Sequence, residues 1–291
     1  MHIELRDRTV FVGNGGRAKE GAADWRGGGT PRLLLWHGAG MDRTVWVLLA
    51  RYFARHGVDV IVPDLPGHGA SGGEPLPDIE SMADWGIELI EALCERHGLG
   101  DGPLLVAGHS MGSLLALELA GRLARRDEPP AALWLLGSNY PMNVTPVLLE
   151  AARLDSPVAI DIIATYGHAY ASRLGHNDVA GISVHNMARA LLRRADPGVL
   201  HTDLEACRRY EGGERAAAGL QGCPVQLIVG DEDRMTPPRA AQALAGLTGA
   251  DVHRIVDCGH MMMSEQPERV LATMRSLLAT ALRSVPERVP A

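Results

Sequence analysis

The sequence has no paired-cysteine motif, no export signal, no apolar run able to cross a bilayer and no surplus of basic residues. Its four cysteines, Cys94, Cys207, Cys223 and Cys258, are scattered without a C-x-x-C pair. That excludes a zinc ribbon or a thioredoxin-like motif, and the four read as free thiols. The N-terminus, MHIELRDRTV, alternates charged and apolar residues and lacks the basic and then apolar run of a secretory signal, so a cytoplasmic location is expected. The most apolar stretch, 103–124, is interrupted by His109, Ser110, Glu118 and Arg122, which a bilayer core tolerates poorly. Lys plus Arg number 28 against 35 Asp plus Glu, a net charge of −7. This balance argues against nucleic acid or an anionic membrane as partner and leaves a small neutral molecule as the expected one. There is no H-E-x-x-H and no calcium-type carboxylate loop, so no metal site is assigned.

What is present is a globular composition, 46% hydrophobic and 22% charged over 291 residues, enough for one large α/β domain carrying an inserted subdomain. Residues 2–12 alternate like a strand. Apolar runs then alternate with helical segments: LLLW at 33–36, VDVIVPD at 58–64, a helix over 81–98, PLLVAGH at 103–109, a helix over 110–126 and AALWLLGS at 131–138. The alternation resumes at PVQLIVG (224–230), a helix over 237–247, DVHRIVD (251–257) and a last helix over 264–282, with the tail beyond it frayed. Short buried strands alternating with amphipathic helices predict an α/β fold: a mostly parallel central sheet of about eight strands with helices on both faces. Between residues 139 and 218 the period is helical and no strand appears, which predicts a helical cap inserted after strand 6. The core is then 1–138 and 219–291. The insert carries nine acids and eight arginines, and four of the five tyrosines: Tyr140, Tyr166, Tyr170 and Tyr210.

Gly108-His109-Ser110-Met111-Gly112 is a G-x-S-x-G between a predicted buried strand and a predicted helix. Small residues at both ends permit a tight strand-to-helix turn that lifts the hydroxyl clear of the sheet, with a helix N-terminus behind it favouring negative charge. Ser110 is therefore a candidate nucleophile. A serine hydroxyl needs a base and an acid that orients the base. Such an elbow is followed in chain order by the acid and then the histidine. The sequence offers Asp233, with Asp231 as the alternative, after the strand PVQLIVG, and His260 after DVHRIVD.

These motifs resemble the α/β-hydrolase fold superfamily, in particular lid-bearing, esterase- or lipase-like serine hydrolases. The resemblance rests on His37-Gly38-Ala39-Gly40, on Asp64 to Ser71 (DLPGHGAS), on the elbow, on the G-x-x-D-x-x-x-P run from Gly230 to Pro237 and on Gly259-His260, spanning 31–138 and 221–283. It implies Ser110 as nucleophile, His260 as general base and then acid, Asp233 as the residue orienting the imidazole, and an oxyanion hole made of the Ala39 and Met111 N–H groups. No cofactor is implied. The expected reaction is hydrolysis of a small, largely uncharged ester or related acyl compound through an acyl-enzyme. The same fold also carries C–C hydrolases, thioesterases, perhydrolases and non-catalytic receptors.

The other histidines read as structural: His37 and His68 hold turns, His109 points away from the nucleophile, His253 lies on a strand, and His168, His176, His185 and His201 show no metal spacing. Gly13 to Ala18 fits G-x-G-x-x-A, but glycines break the helix that should follow, so it is read as a turn between strands. Methionines cluster near the motifs. Met41, Met142, Met235 and Met261, with Tyr140, are the candidate lining of a pliable apolar pocket, and the other insert tyrosines are further polar handles.

Overall fold

A computed structural model describes residues 1–16, 25–26, 29–175 and 181–284. The chain opens with strands β1 (His2–Leu5), β2 (Arg8–Gly13) and β3 (Arg32–Trp36). A short 3-10 turn then leads into α1 (Val47–Arg55), followed by β4 (Asp59–Pro63), α2 (Ile79–His97), β5 (Leu104–His109), α3 (Met111–Ala124) and β6 (Ala132–Leu136). Six helices come next: α4 (Pro146–Arg153), α5 (Pro157–Tyr166), α6 (Tyr170–Arg173), α7 (Val184–Leu192), α8 (Val199–Arg209) and α9 (Gly213–Ala218). The chain closes with β7 (Val225–Gly230), α10 (Pro238–Thr248), β8 (Asp251–Ile255), α11 (Met262–Glu265) and α12 (Pro267–Ser284). No described helix is long and apolar enough to cross a membrane.

The eight strands form one sheet in the order β1-β2-β4-β3-β5-β6-β7-β8. From β4 through β8 every pairing is parallel, and β1 and β2 add antiparallel at one edge. Successive residues of β3 and β5 enter opposite cores: Leu34, Trp36 and Val106 pack on one face, Leu33, Leu35, Leu105 and Ala107 on the other. That two-sided burial is why these strands read as unbroken apolar runs. β3 sends its chain to β4 on one side, while β5 lies on the other. Their carboxyl ends thus frame the crevice where open α/β sheets bind ligands.

Two expectations about element boundaries change. The alternating run 2–12 is a hairpin rather than one strand, turned at Arg6 and Asp7, both in the left-handed region (φ 50° and 57°). Neither is glycine, so Asp7, which tolerates the left-handed region, was the one turn residue there. The last helix is divided at Gln266–Pro267, because proline starts a helix well but cannot continue one. Gly13 ends β2 as read, while Arg17 and Ala18 of that pattern, His176 and the tail 285–291 lie outside the described residues.

The helices between β6 and β7 begin with strong local signals. Thr145 and Ser156 cap α4 and α5 through their hydroxyls, each followed at once by proline. The last of the six, α9, packs on α3 and α10, so the end of the 139–218 stretch lies against helices that flank the sheet. α3 is apolar on nearly all sides, being enclosed by the sheet, α2 and α9. Its Glu118 is fully buried and accepts bonds from Arg122 Nε at 2.7 Å and Tyr210 Oη at 2.8 Å. Burial, then the Glu118 carboxylate, pushes the Tyr210 phenol far above its usual range, so it stays a donor. Tyr210→Phe leaves Glu118 one donor short and is expected to lower stability by about 1–3 kcal/mol in urea denaturation; an unchanged midpoint and slope would contradict this role.

Candidate active site

Ser110 sits between β5 and α3 with φ 54° and ψ −121°, a conformation costing a non-glycine residue on the order of 1–3 kcal/mol. Its surroundings hold it there. The Ser110 N–H donates to Leu136 O at 2.9 Å, and its carbonyl accepts both the Ser113 N–H at 2.8 Å and the Ser113 hydroxyl at 2.5 Å. The flanking glycines are required by close approach: a Cβ on Gly108 would lie 1.9 Å from Gly112 O, and one on Gly112 would lie 2.5 Å from Trp36 O and His37 O. Met111 is the first residue of α3, so its N–H is one of the helix donors without an intrahelical acceptor. Its side chain is fully buried.

His260 and Asp233 meet after β8 and β7. His260 Nδ1 lies 2.8 Å from Asp233 Oδ2, with both residues almost completely buried. Asp233 Oδ1 accepts the N–H groups of Met235 and Thr236 at 2.8 Å each, and Oδ2 takes the Thr236 hydroxyl at 2.7 Å. Burial alone would raise this carboxyl. The imidazole and the donors outweigh it and hold Asp233 below the usual carboxylate range, hence ionised. Asp231 faces elsewhere and accepts Arg254 Nε at 2.7 Å.

Ser110 and Ala39 border a cavity of about 580 Å³ between the sheet's rim and the inserted helices, within the usual range of small-molecule sites. Met142 and Met235 line it, as do Tyr166, Leu204 and Cys207. Met41, Met261 and Tyr140 do not, which corrects the expectation for these three. The tight turn in which the Met41 N–H donates to Gly38 O (3.1 Å) sends Met41 into the core. Met261 is buried against Gly167, to whose carbonyl it donates at 2.9 Å. The Tyr140 ring packs edge-on against Tyr210, 5.8 Å between centroids, and over Gly213. Spacing placed these residues at the right end of the sheet, but side-chain direction took them inward.

The remaining histidines divide by protonation. His37 Nε2 accepts the Leu65 N–H at 3.2 Å, so Nδ1 carries the proton and donates to Gly38 O at 3.0 Å. Burial, then the neighbouring His68, lowers it to about 4. His109 is lowered to about 3 by burial and by His260; its Nε2 donates to the His260 carbonyl at 2.9 Å, so it buttresses the histidine loop. His168 is lowered to about 4, chiefly by burial, and packs on His185. His68 is the opposite case. Its two nitrogens face only acceptors, Pro66 O and Asp203 Oδ2, each at 2.9 Å, and the Asp203 carboxylate overcomes burial to raise its pKa. It is a buried imidazolium.

Three residues at this site escaped the sequence reading. Thr236 bridges the acid and the imidazole, its Oγ1 lying 3.1 Å from His260 Nδ1. Asp203, fully buried on α8, binds both His68 and the Gly40 N–H (2.7 Å), tying the insert to the Ala39 loop. Glu265 accepts the N–H groups of Gly259 (3.0 Å) and Ala169 (2.8 Å), tying the insert to the His260 loop. A signal for Asp203 existed: it is an acid on the apolar stripe of Leu200, Leu204 and Cys207, where an unpaired charge would be costly.

The chain belongs to the alpha/beta hydrolase family, a hydrolase by class: its residues 33–273 match that family. It is similar to lipase LipV of Mycobacterium tuberculosis, 28% identical over 276 residues that make up 86% of this chain and 94% of the relative. Among solved structures it is similar to a thermophilic esterase from Thermogutta terrifontis, with 25% identity, a TM-score of 0.73 and 94% of each chain covered. A shorter match, 42% over 91 residues, relates it to the (E)-2-((N-methylformamido)methylene)succinate hydrolase of Acinetobacter baylyi. That match covers 31% of this chain and 32% of the relative, about a third of its length.

Burial raises Glu265 from 4.5 to about 7 despite its donors. Between those values the folded protein keeps a proton that the unfolded chain has released, so stability falls as pH rises through the window and levels off above it, by an amount on the order of 3 kcal/mol. Glu265→Gln is expected to remove that part of the pH dependence. Urea denaturation at pH 5 and pH 8 checks it: the variant should lose less stability between the two than the wild type, and equal losses would refute the assignment.

Proposed function

We propose that the protein is a serine hydrolase that cleaves an ester with a largely apolar body through an acyl-enzyme, using Ser110, His260 and Asp233, with residues 139–218 as its cap. The observation that carries this reading is a strained Ser110 at the rim of a cavity that Thr236 also lines, with Thr236 in turn bonded to the buried Asp233–His260 pair. Asp233 accepts a hydrogen bond from the Nδ1–H of His260 and so fixes the tautomer, which leaves Nε2 as the base. His260 removes the Ser110 proton as the oxygen attacks the ester carbonyl, and returns it to the departing alcohol. The Ala39 and Met111 N–H groups receive the oxyanion, each contributing about 3–4 kcal/mol to the transition state. Water, activated by the same imidazole, then releases the acid. The lipase and esterase relatives support an ester as the bond, and Met142, Leu204 and Met235 support an apolar body.

A fluorophosphonate probe is expected to label the wild type and not Ser110→Ala, whose kcat should fall by about 10⁶-fold. Asp233→Asn should cost about 10⁴-fold. Turnover within tenfold of wild type in Ser110→Ala would overturn the reading. A series of p-nitrophenyl esters of increasing acyl length should show a sharp optimum set by the 580 Å³ cavity, whereas a flat profile would remove the enclosed-pocket part of the proposal.

A further inference from the structure

The cavity that holds Ser110 contains a single charge. Among its described lining residues Arg234 alone is ionised, and no carboxylate borders the space. Arg234 follows Asp233 directly, and its guanidinium carbon lies 4.5 Å from the centroid of the Tyr166 ring at the end of α5. Among the described residues its guanidinium makes no ion pair and no hydrogen bond. The three acids that precede it are engaged elsewhere. Asp231 takes Arg254, Glu232 takes the Tyr170 N–H at 2.8 Å, and Asp233 takes His260.

Arg234 is also the wall shared with a second, open cleft of about 450 Å³, bordered by Arg173 and Arg239 and by the acids Asp231, Glu232 and Asp233. Arg173 likewise lies over a tyrosine, Tyr170, and its Nε is buried without a partner. Arg234 and Arg173 thus each lie over an aromatic face, in a cleft whose carboxylates already hold other partners among the described residues. Stacking on a ring fixes the guanidinium plane and leaves its edge N–H groups free, the geometry that grips a carboxylate bidentately.

We infer that Arg234 is a specificity-determining residue, and that the ester this enzyme prefers carries a carboxylate remote from the bond that is cut, with an apolar body between the two. This rests on the serine-hydrolase reading and narrows it: the apolar wall takes the body, Ser110 takes the carbonyl, and Arg234 takes the far anion. The sequence led instead to a largely uncharged substrate, because charge totals say nothing of which charges remain unpaired at the cavity.

The test compares kcat/KM, by pH-stat, for monomethyl esters of six- to eight-carbon dicarboxylic acids with the methyl esters of monocarboxylic acids of the same length. A second arm compares acetate esters of ω-hydroxycarboxylic acids with acetates of the corresponding plain alcohols. The charged ester is expected to be favoured about tenfold or more in one arm, which then tells whether the carboxylate belongs to the acyl or the alcohol part. Arg234→Gln should lower that ratio about tenfold, mainly through KM, Arg234→Lys should restore part of it, and 0.5 M salt should lower it in the wild type. The ratio cancels any loss common to both esters, including partial misfolding. A wild-type preference for neutral esters in both arms, or a ratio unchanged in Arg234→Gln, overturns the inference. Absence of hydrolysis in both arms together with absence of fluorophosphonate labelling overturns the serine-hydrolase reading instead.

Discussion

The approach of α3 to the ends of β3 and β5 governs the rest of the site. With Gly112 against the carbonyls of Trp36 and His37, and Gly108 against Gly112, the chain has no room to leave β5 gradually. It must reverse within one residue, and that residue, Ser110, takes a conformation it would not choose alone. Three consequences follow from this one packing constraint: the hydroxyl stands at the cavity's edge, the first turn of α3 presents its N–H groups there, and the Ala39 loop is brought alongside.

Charge inside the protein follows a consistent rule. Four buried acids near the site each hold at least two partners: Asp233 with His260 and Thr236, Asp203 with His68 and Gly40, Glu265 with two backbone N–H groups, Glu118 with Tyr210 and Arg122. The uncharged imidazoles of His37 and His109 fill the space between. Against that background the guanidinium of Arg234 is distinctive, because among the described residues that line the cavity no carboxylate answers it.

The fold class and the strand runs were legible in the sequence because each depends on local pattern: period and turn chemistry. The hairpin at Arg6–Asp7 was not, since a single Asp without glycine is a weak turn signature. The pairing of Asp203 with His68 joins residues 135 apart, and that of Glu265 with Ala169 joins residues 96 apart; only tertiary closure brings them together. Met41, Met261 and Tyr140 show a different limit. A motif locates a backbone, while the direction a side chain takes from it is decided by neighbours that the motif does not name.

The bonds of Asp203 bear on how a bulky guest could enter. Lifting α8 off the sheet would strand an imidazolium and a carboxylate in the interior, which costs about 3–5 kcal/mol when a buried pair is broken. Displacing α4 and α5, whose Val147 and Val158 already face solvent, breaks no such pair. Asp203 thus pins α8 to the loops around Gly40 and His68, a bond that α4 and α5 do not share.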